Sequence, residues 1–169
     1  MSAPVDADRL GRPRVLVIGV GNPYRRDDAA GREAVRRLRD RAPHVIATLE
    51  HDGEGTSLME AWQGADLVIV VDAVSSGVAP GTVRRFDVRS EPLPAAILRD
   101  STHAVGVPDA VELARALGRL PPRLIVYGIE GRAFDAGEAL SPEVERAVDE
   151  VISRILGDVQ VEGGPPADA

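Results

Sequence analysis

Cysteine and lysine are both missing from the 169 residues, so all twenty basic residues are Arg. Without cysteine there are no disulfides, no thiolate metal sites and no cysteine nucleophile. A metal site in this chain has to be built from His, Asp and Glu. Without lysine, Schiff-base chemistry and a P-loop lysine are excluded. Aromatic residues make up only 3%, so the core has to be aliphatic. No apolar run approaches the ~20 residues of a membrane span. The opening "MSAPVDADRLGRPR" carries no hydrophobic stretch of the secretory type, so a cytoplasmic protein is expected. The net charge of −7 argues against nonspecific nucleic-acid binding, which relies on a basic face.

What remains is an aliphatic chain of a length that suits one domain, and its pattern is regular. Residues 1–13 read as a loose arm, residues 14–157 as the domain and 158–169 as a disordered tail. Continuous apolar runs predict buried strands at Val15–Val20, His44–Glu50, Asp66–Ala73 and Arg123–Glu130, with an edge strand at Gly81–Val88. Helical spacing predicts helices from Asp27 or Asp28 to about Arg39, Thr56 to Gln63, Pro108–Leu117 and Ser141–Leu156. Strands alternating with helices imply an α/β domain, a mostly parallel sheet between two helical layers. In such sheets ligands gather at the carboxyl ends of the strands.

One stretch stands at such an end: "VLVIGVGNPYRRDDAAG", Val15–Gly31. Its Gly-x-Gly is only the front half of a dinucleotide fingerprint, because Tyr24 fills the third glycine position. Asp27 and Asp28 would repel a pyrophosphate. The two acids read either as helix caps or as ligands for a cation. Gly21 and Asn22 read either as a tight turn or as part of a pocket. Asp72 follows a strand of five apolar residues and is expected near Asp28 at the rim of the sheet.

Three histidines complete the inventory. His44 is expected at the surface. His51, among acids in "EHDGEG", is expected at the rim of the site, and His103 lies close to the fourth predicted helix. With cysteine absent, an Asp/Asp/His set is the obvious way to hold a transition metal. A Ser-His-Asp hydrolase would draw on Ser75, Ser76 or Ser101 with His103 and Asp72. No Gly-x-Ser-x-Gly elbow supports it.

Taken together, "VLVIGVGNPYRRDDAAG", "HDGEGTSLMEAWQGADLVIVVDAV", "STHAVGVPDAVELARALG" and "LIVYGIEG" resemble the hydrogenase maturation endopeptidases, over roughly residues 14–156. The resemblance implies a twisted five-stranded sheet in a three-layer α/β/α sandwich. It also implies removal of a C-terminal peptide from the large-subunit precursor of nickel–iron hydrogenase after nickel insertion. On this resemblance Asp28, Asp72 and His103 are the metal-reading residues, and the nickel comes with the substrate. Asp27 then assists proton transfer, while Gly21, Asn22 and His51 shape the substrate pocket. No organic cofactor, nucleic acid or membrane is implied, and a monomer is expected. "IGVGNP" also resembles the start of bacterial peptidyl-tRNA hydrolase. Asp27 and Asp28 stand where that esterase needs a histidine. A non-catalytic sensor of a metal-loaded partner is the third reading.

Overall fold

A computed structural model describes residues 14–41, 46–94 and 106–162. Five strands form one sheet: β1 (Val15–Val20), β2 (Ile46–His51), β3 (Leu67–Val74), β4 (Val83–Asp87) and β5 (Arg123–Glu130). Their order is β2-β1-β3-β5-β4. The first four in that order run parallel, and β4 pairs antiparallel with β5 at one edge. The mostly parallel sheet and its edge strand therefore match the reading of the sequence.

Strand periodicity sorts the core into two halves. On β1, β3 and β5, residues such as Val17, Ile69 and Ile125 pack on one face with helices α1 (Ala30–Arg41) and α4 (Pro142–Glu162). Their neighbours Ile18, Val68, Val70 and Val126 pack on the other face with α2 (Gly55–Ala61) and α3 (Val107–Ala116). The central strand β3 is buried on both sides from Leu67 to Val71, which explains its unbroken apolar run. Arg37 of α1 ties the first helical layer together, bonding Glu145 (2.5 Å) and Asp149 (3.3 Å) of α4.

Several boundaries differ from expectation. The first helix does not begin at Asp27 or Asp28. Residues Arg26–Ala29 form a tighter 3-10 turn, and α1 starts at Ala30. The strand carrying Asp72 does not end there either. It continues to Val74 because β5 offers partners that far, with Asp72 opposite Gly128 and Val74 opposite Glu130. The predicted strand at His44 begins at Ile46 among the described residues; His44 lies outside them.

The largest difference is at the C-terminal helix. It runs through Gly157 to Glu162, so residues 158–162 of the expected tail are helical. The rest of that tail lies outside the described residues. Glycine costs an exposed helix only about 1 kcal/mol, and two side chains beyond it offset that. Val159 packs on the core. Asp158 accepts the Tyr127 hydroxyl, and its two oxygens accept from the Arg85 guanidinium at 2.8 and 3.3 Å. Burial and the neighbouring Asp158 carboxylate raise the Tyr127 pKa, so this hydroxyl stays a donor. Asp158→Ala is expected to fray the last turn and a half of α4. Amide hydrogen exchange should accelerate at residues 157–162 and stay unchanged in residues 143–152. The orphaned Tyr127 hydroxyl should cost about 1–3 kcal/mol in stability.

Candidate active site

The turn after β1 is built around one glycine. Gly21 has φ of 148°, a conformation open to glycine, and a Cβ there would lie 1.8 Å from the Asp28 carbonyl oxygen. The missing side chain lets the 3-10 turn fold back onto the strand end. Gly19 and Gly31 do the same for α1: a Cβ on Gly31 would lie 2.2 Å from the Val71 carbonyl. These glycines serve close packing rather than phosphate binding.

The result is a held carboxylate. The Asn22 N–H donates to Asp28 Oδ2 at 2.9 Å. The Asn22 side chain is used in turning the chain, accepting from the Tyr24 N–H at 2.9 Å. Gly21 donates to the His51 carbonyl (3.1 Å), and its own carbonyl accepts from Arg32 Nε (2.6 Å). The backbone of β1, the end of β2 and α1 thus fix the position of Asp28 jointly.

Asp72 reaches the same end of the sheet from β3. It shares strand parity with Val68 and Val70, on the α2–α3 side. Burial pushes its pKa up to about 8, and the Asp28 charge pushes in the same direction. The Ala73 backbone N–H opposes the rise without cancelling it. The structure therefore brings Asp28 and Asp72 together, as the sequence led one to expect. What results is an acid pair in a poorly solvated position, with no cationic side chain among the described residues acting on Asp72. Among the described residues no group of three or more His, Cys, Asp and Glu is arranged to hold a metal. His103 lies outside the described residues, as does Ser101.

Asp27 has a different task from the one expected of it. It is 0% exposed. Its Oδ1 accepts from the Ser141 N–H at 2.7 Å. Its Oδ2 accepts from the Arg132 N–H (2.8 Å), the Ala133 N–H (2.9 Å) and the Ser141 hydroxyl (2.8 Å). Burial alone would raise its pKa, but these hydrogen bonds, Ser141 and Ala133 foremost, outweigh burial and lower it. A carboxylate that is fully buried and holds four donors is fixed in place by the fold. Asp27 is the clamp between the 3-10 turn and the 131–141 loop. It also takes the hydroxyl of Ser141, the residue just before α4.

His51 sits at the end of β2 and is likewise engaged. Its Nδ1 accepts from the Gly53 N–H (2.9 Å), which leaves the proton on Nε2 facing Ser57 Oγ at 2.7 Å. Ser76 does not sit as a nucleophile: its hydroxyl donates to Glu130 Oε2 at 2.7 Å. Glu130 is the residue that sequence reasoning left without a role. It is buried at the end of β5, and its Oε1 also accepts from the N–H groups of Ser76 (2.8 Å) and Gly77 (3.0 Å). It holds the turn that follows the Asp72 strand. Its place at a strand's carboxyl end, level with Val74, was the only signal for it.

Comparison with known proteins bears on this geometry. A family model described as hydrogenase maturation protease matches residues 37–158. The hydrogenase 2 maturation protease of Escherichia coli is 30% identical over 154 residues, covering 89% of this chain and 93% of that protein. The hydrogenase expression/formation protein HupD of Thiocapsa roseopersicina is 29% identical, and the match spans 85% of this chain and 66% of that protein. Among solved structures, the NiFe hydrogenase maturation protease HybD from Thermococcus kodakarensis is similar at a TM-score of 0.70 and 30% identity. That likeness covers 86% of this chain and 99% of the other.

Proposed function

This chain belongs to the hydrogenase maturation protease family, and from that premise we propose that it removes the C-terminal peptide of a nickel–iron hydrogenase large-subunit precursor once nickel is in place. The observation that carries this reading is the Asp28–Asp72 pair. Burial and like charge make the pair unfavourable when both carboxyls are ionised, and a cation relieves that cost. The proposed cation is the nickel already seated in the precursor, with His103 as the third ligand. Carboxylate and imidazole donors suit a divalent ion of this kind.

In this reading Asp28, fixed by the Asn22 N–H, and Asp72, on the rigid end of β3, present oxygens to the metal. Asp72 gives up its proton as the precursor docks. Nickel bound there polarises a nearby carbonyl or activates a water. An empty precursor leaves Asp72 protonated and the site unformed, which makes cleavage conditional on loading. The same coupling favours a second reading. A protonated Asp72 beside Asp28 is an aspartic dyad, in which Asp28 takes a proton from water and Asp72 gives one to the substrate.

Intact-mass analysis of precursor incubated with the protein separates these. Loss of one C-terminal peptide is expected from nickel-loaded precursor only, with wild type only, and not with Asp28→Ala or His103→Ala. Equal cleavage of nickel-free precursor would replace metal reading by the dyad. Binding of loaded precursor with no cleavage would leave a sensor without catalysis.

A further inference from the structure

We propose that Tyr24 and Arg25 form the anchor by which this protein docks the folded body of its precursor beside the cleavage site, an inference that rests on the function proposed above. The chain has five aromatic residues among Phe, Trp and Tyr. Trp62 and Tyr127 are buried in the core, whereas Tyr24 is 69% exposed. Among the described residues the other large apolar side chains that are exposed, Leu113, Leu117 and Val161, lie on or at the end of helices α3 and α4. Tyr24 stands on the loop that builds the site, two residues after Asn22, whose N–H holds Asp28.

Its backbone is held at several points. The Tyr24 N–H donates to Asn22 Oδ1 (2.9 Å), and its carbonyl accepts from the Gly137 N–H (2.9 Å). Arg26 donates to the Gly137 carbonyl (2.9 Å) and Asp27 to the Ala133 carbonyl (3.0 Å). An exposed aromatic on a fixed backbone loses little freedom on binding, which favours it as an anchor. Arg25 adds the second element. Its Nε donates to the Phe134 carbonyl at 3.2 Å, which aims the guanidinium. No carboxylate pairs with it among the described residues. The chemistry on offer is an exposed aromatic ring and, on the next residue, a guanidinium that no carboxylate neutralises among the described residues. The matching surface is an apolar patch flanked by a carboxylate on a protein partner.

The test is steady-state cleavage of the nickel-loaded precursor by wild type, Tyr24→Ala, Tyr24→Phe, Arg25→Ala and the distant control Val161→Ser. Tyr24→Ala is expected to raise KM about tenfold with kcat within about twofold of wild type. Arg25→Ala should raise KM by about threefold or more, and Tyr24→Phe and Val161→Ser should match wild type. Thermal melts of the Tyr24 variants and Val161→Ser should coincide with that of wild type, while Arg25→Ala, which gives up the bond to the Phe134 carbonyl, is read by its KM at a temperature where it is fully folded. A Tyr24→Ala KM equal to that of Val161→Ser overturns the anchor, and so does a fall in kcat at unchanged KM. If wild type leaves the precursor uncut, calorimetric binding of the same precursor decides. Tenfold weaker binding by Tyr24→Ala keeps the anchor while cleavage is lost as the function. No binding by wild type overturns both.

Discussion

Asp72→Asn is expected to abolish peptide removal while making the metal-free protein more stable than wild type at pH 8. The two effects share one cause. Folding moves Asp72 into a half-buried position beside Asp28, and desolvation together with the Asp28 charge raises its pKa from the ordinary 3.8 to about 8. Below pH 4 the carboxyl is protonated folded or unfolded, and contributes nothing to pH dependence. Between those two values the folded state holds a proton that the unfolded chain has released. Stability therefore falls as pH rises, by at most about 1.4 kcal/mol per pH unit from this group. Asparagine keeps the shape of the neutral acid and removes that slope. Urea unfolding midpoints in chelator, taken from pH 5 to pH 8, should diverge steadily in favour of the variant. Parallel curves would mean that Asp72 is not held in this environment. Cleavage at the wild-type rate by Asp72→Asn would remove it from both the metal-reading and the dyad mechanisms.

Asp27→Ala should act in the opposite direction and on stability first. Removing the carboxylate leaves three backbone N–H groups and one hydroxyl without their acceptor in a buried place. Such groups cost about 1–3 kcal/mol each when nothing replaces the bond. Partial relaxation and entry of water reduce the sum, and a net loss of about 3 kcal/mol or more is expected. For a chain of this size that corresponds to roughly 6–12 °C in Tm. Asp27→Asn should also be destabilising, because its NH2 group meets donors. The lowered pKa of Asp27 sets the sign of the pH effect. Its stabilisation is present above the unfolded value near 3.8 and is lost as pH falls through the lower folded value. An unchanged urea midpoint together with lost cleavage would return Asp27 to a direct part in the chemistry.

The contrast between these neighbouring acids shows where the sequence is legible. The strands were readable because a parallel sheet covered on both faces demands long aliphatic runs, and "LVIVV" of β3 has no other comfortable home. The position of Asp72 followed from that, since strand ends are where polar residues first appear. The site's outline was therefore open to reasoning from β1 and β3 alone. Asp27 was not. Its partners, Arg132, Ala133 and Ser141, are more than one hundred residues away, and all three act through backbone N–H groups, which leave no mark in sequence, with only the Ser141 hydroxyl added. Glu130 was missed for the same reason: most of its bonds go to backbone. The end of α4 was misplaced because Gly157 is a local signal. The bonds from Tyr127 and Arg85 to Asp158 that override it are tertiary.

The long reach of the Asp27 clamp has a consequence for how the protein is made. Its donors lie 105 to 114 residues downstream. While the chain is still being translated, β1 and the Asp28 turn leave the ribosome early and wait. Until Ser141 has emerged, the carboxylate that must be buried has nothing to bury against. The Asp27 side of the turn is therefore clamped only after Ser141 has been made. A stalled or truncated product that ends before Ser141 carries both residues of the acid pair but lacks the Ser141 donors that clamp the neighbouring Asp27.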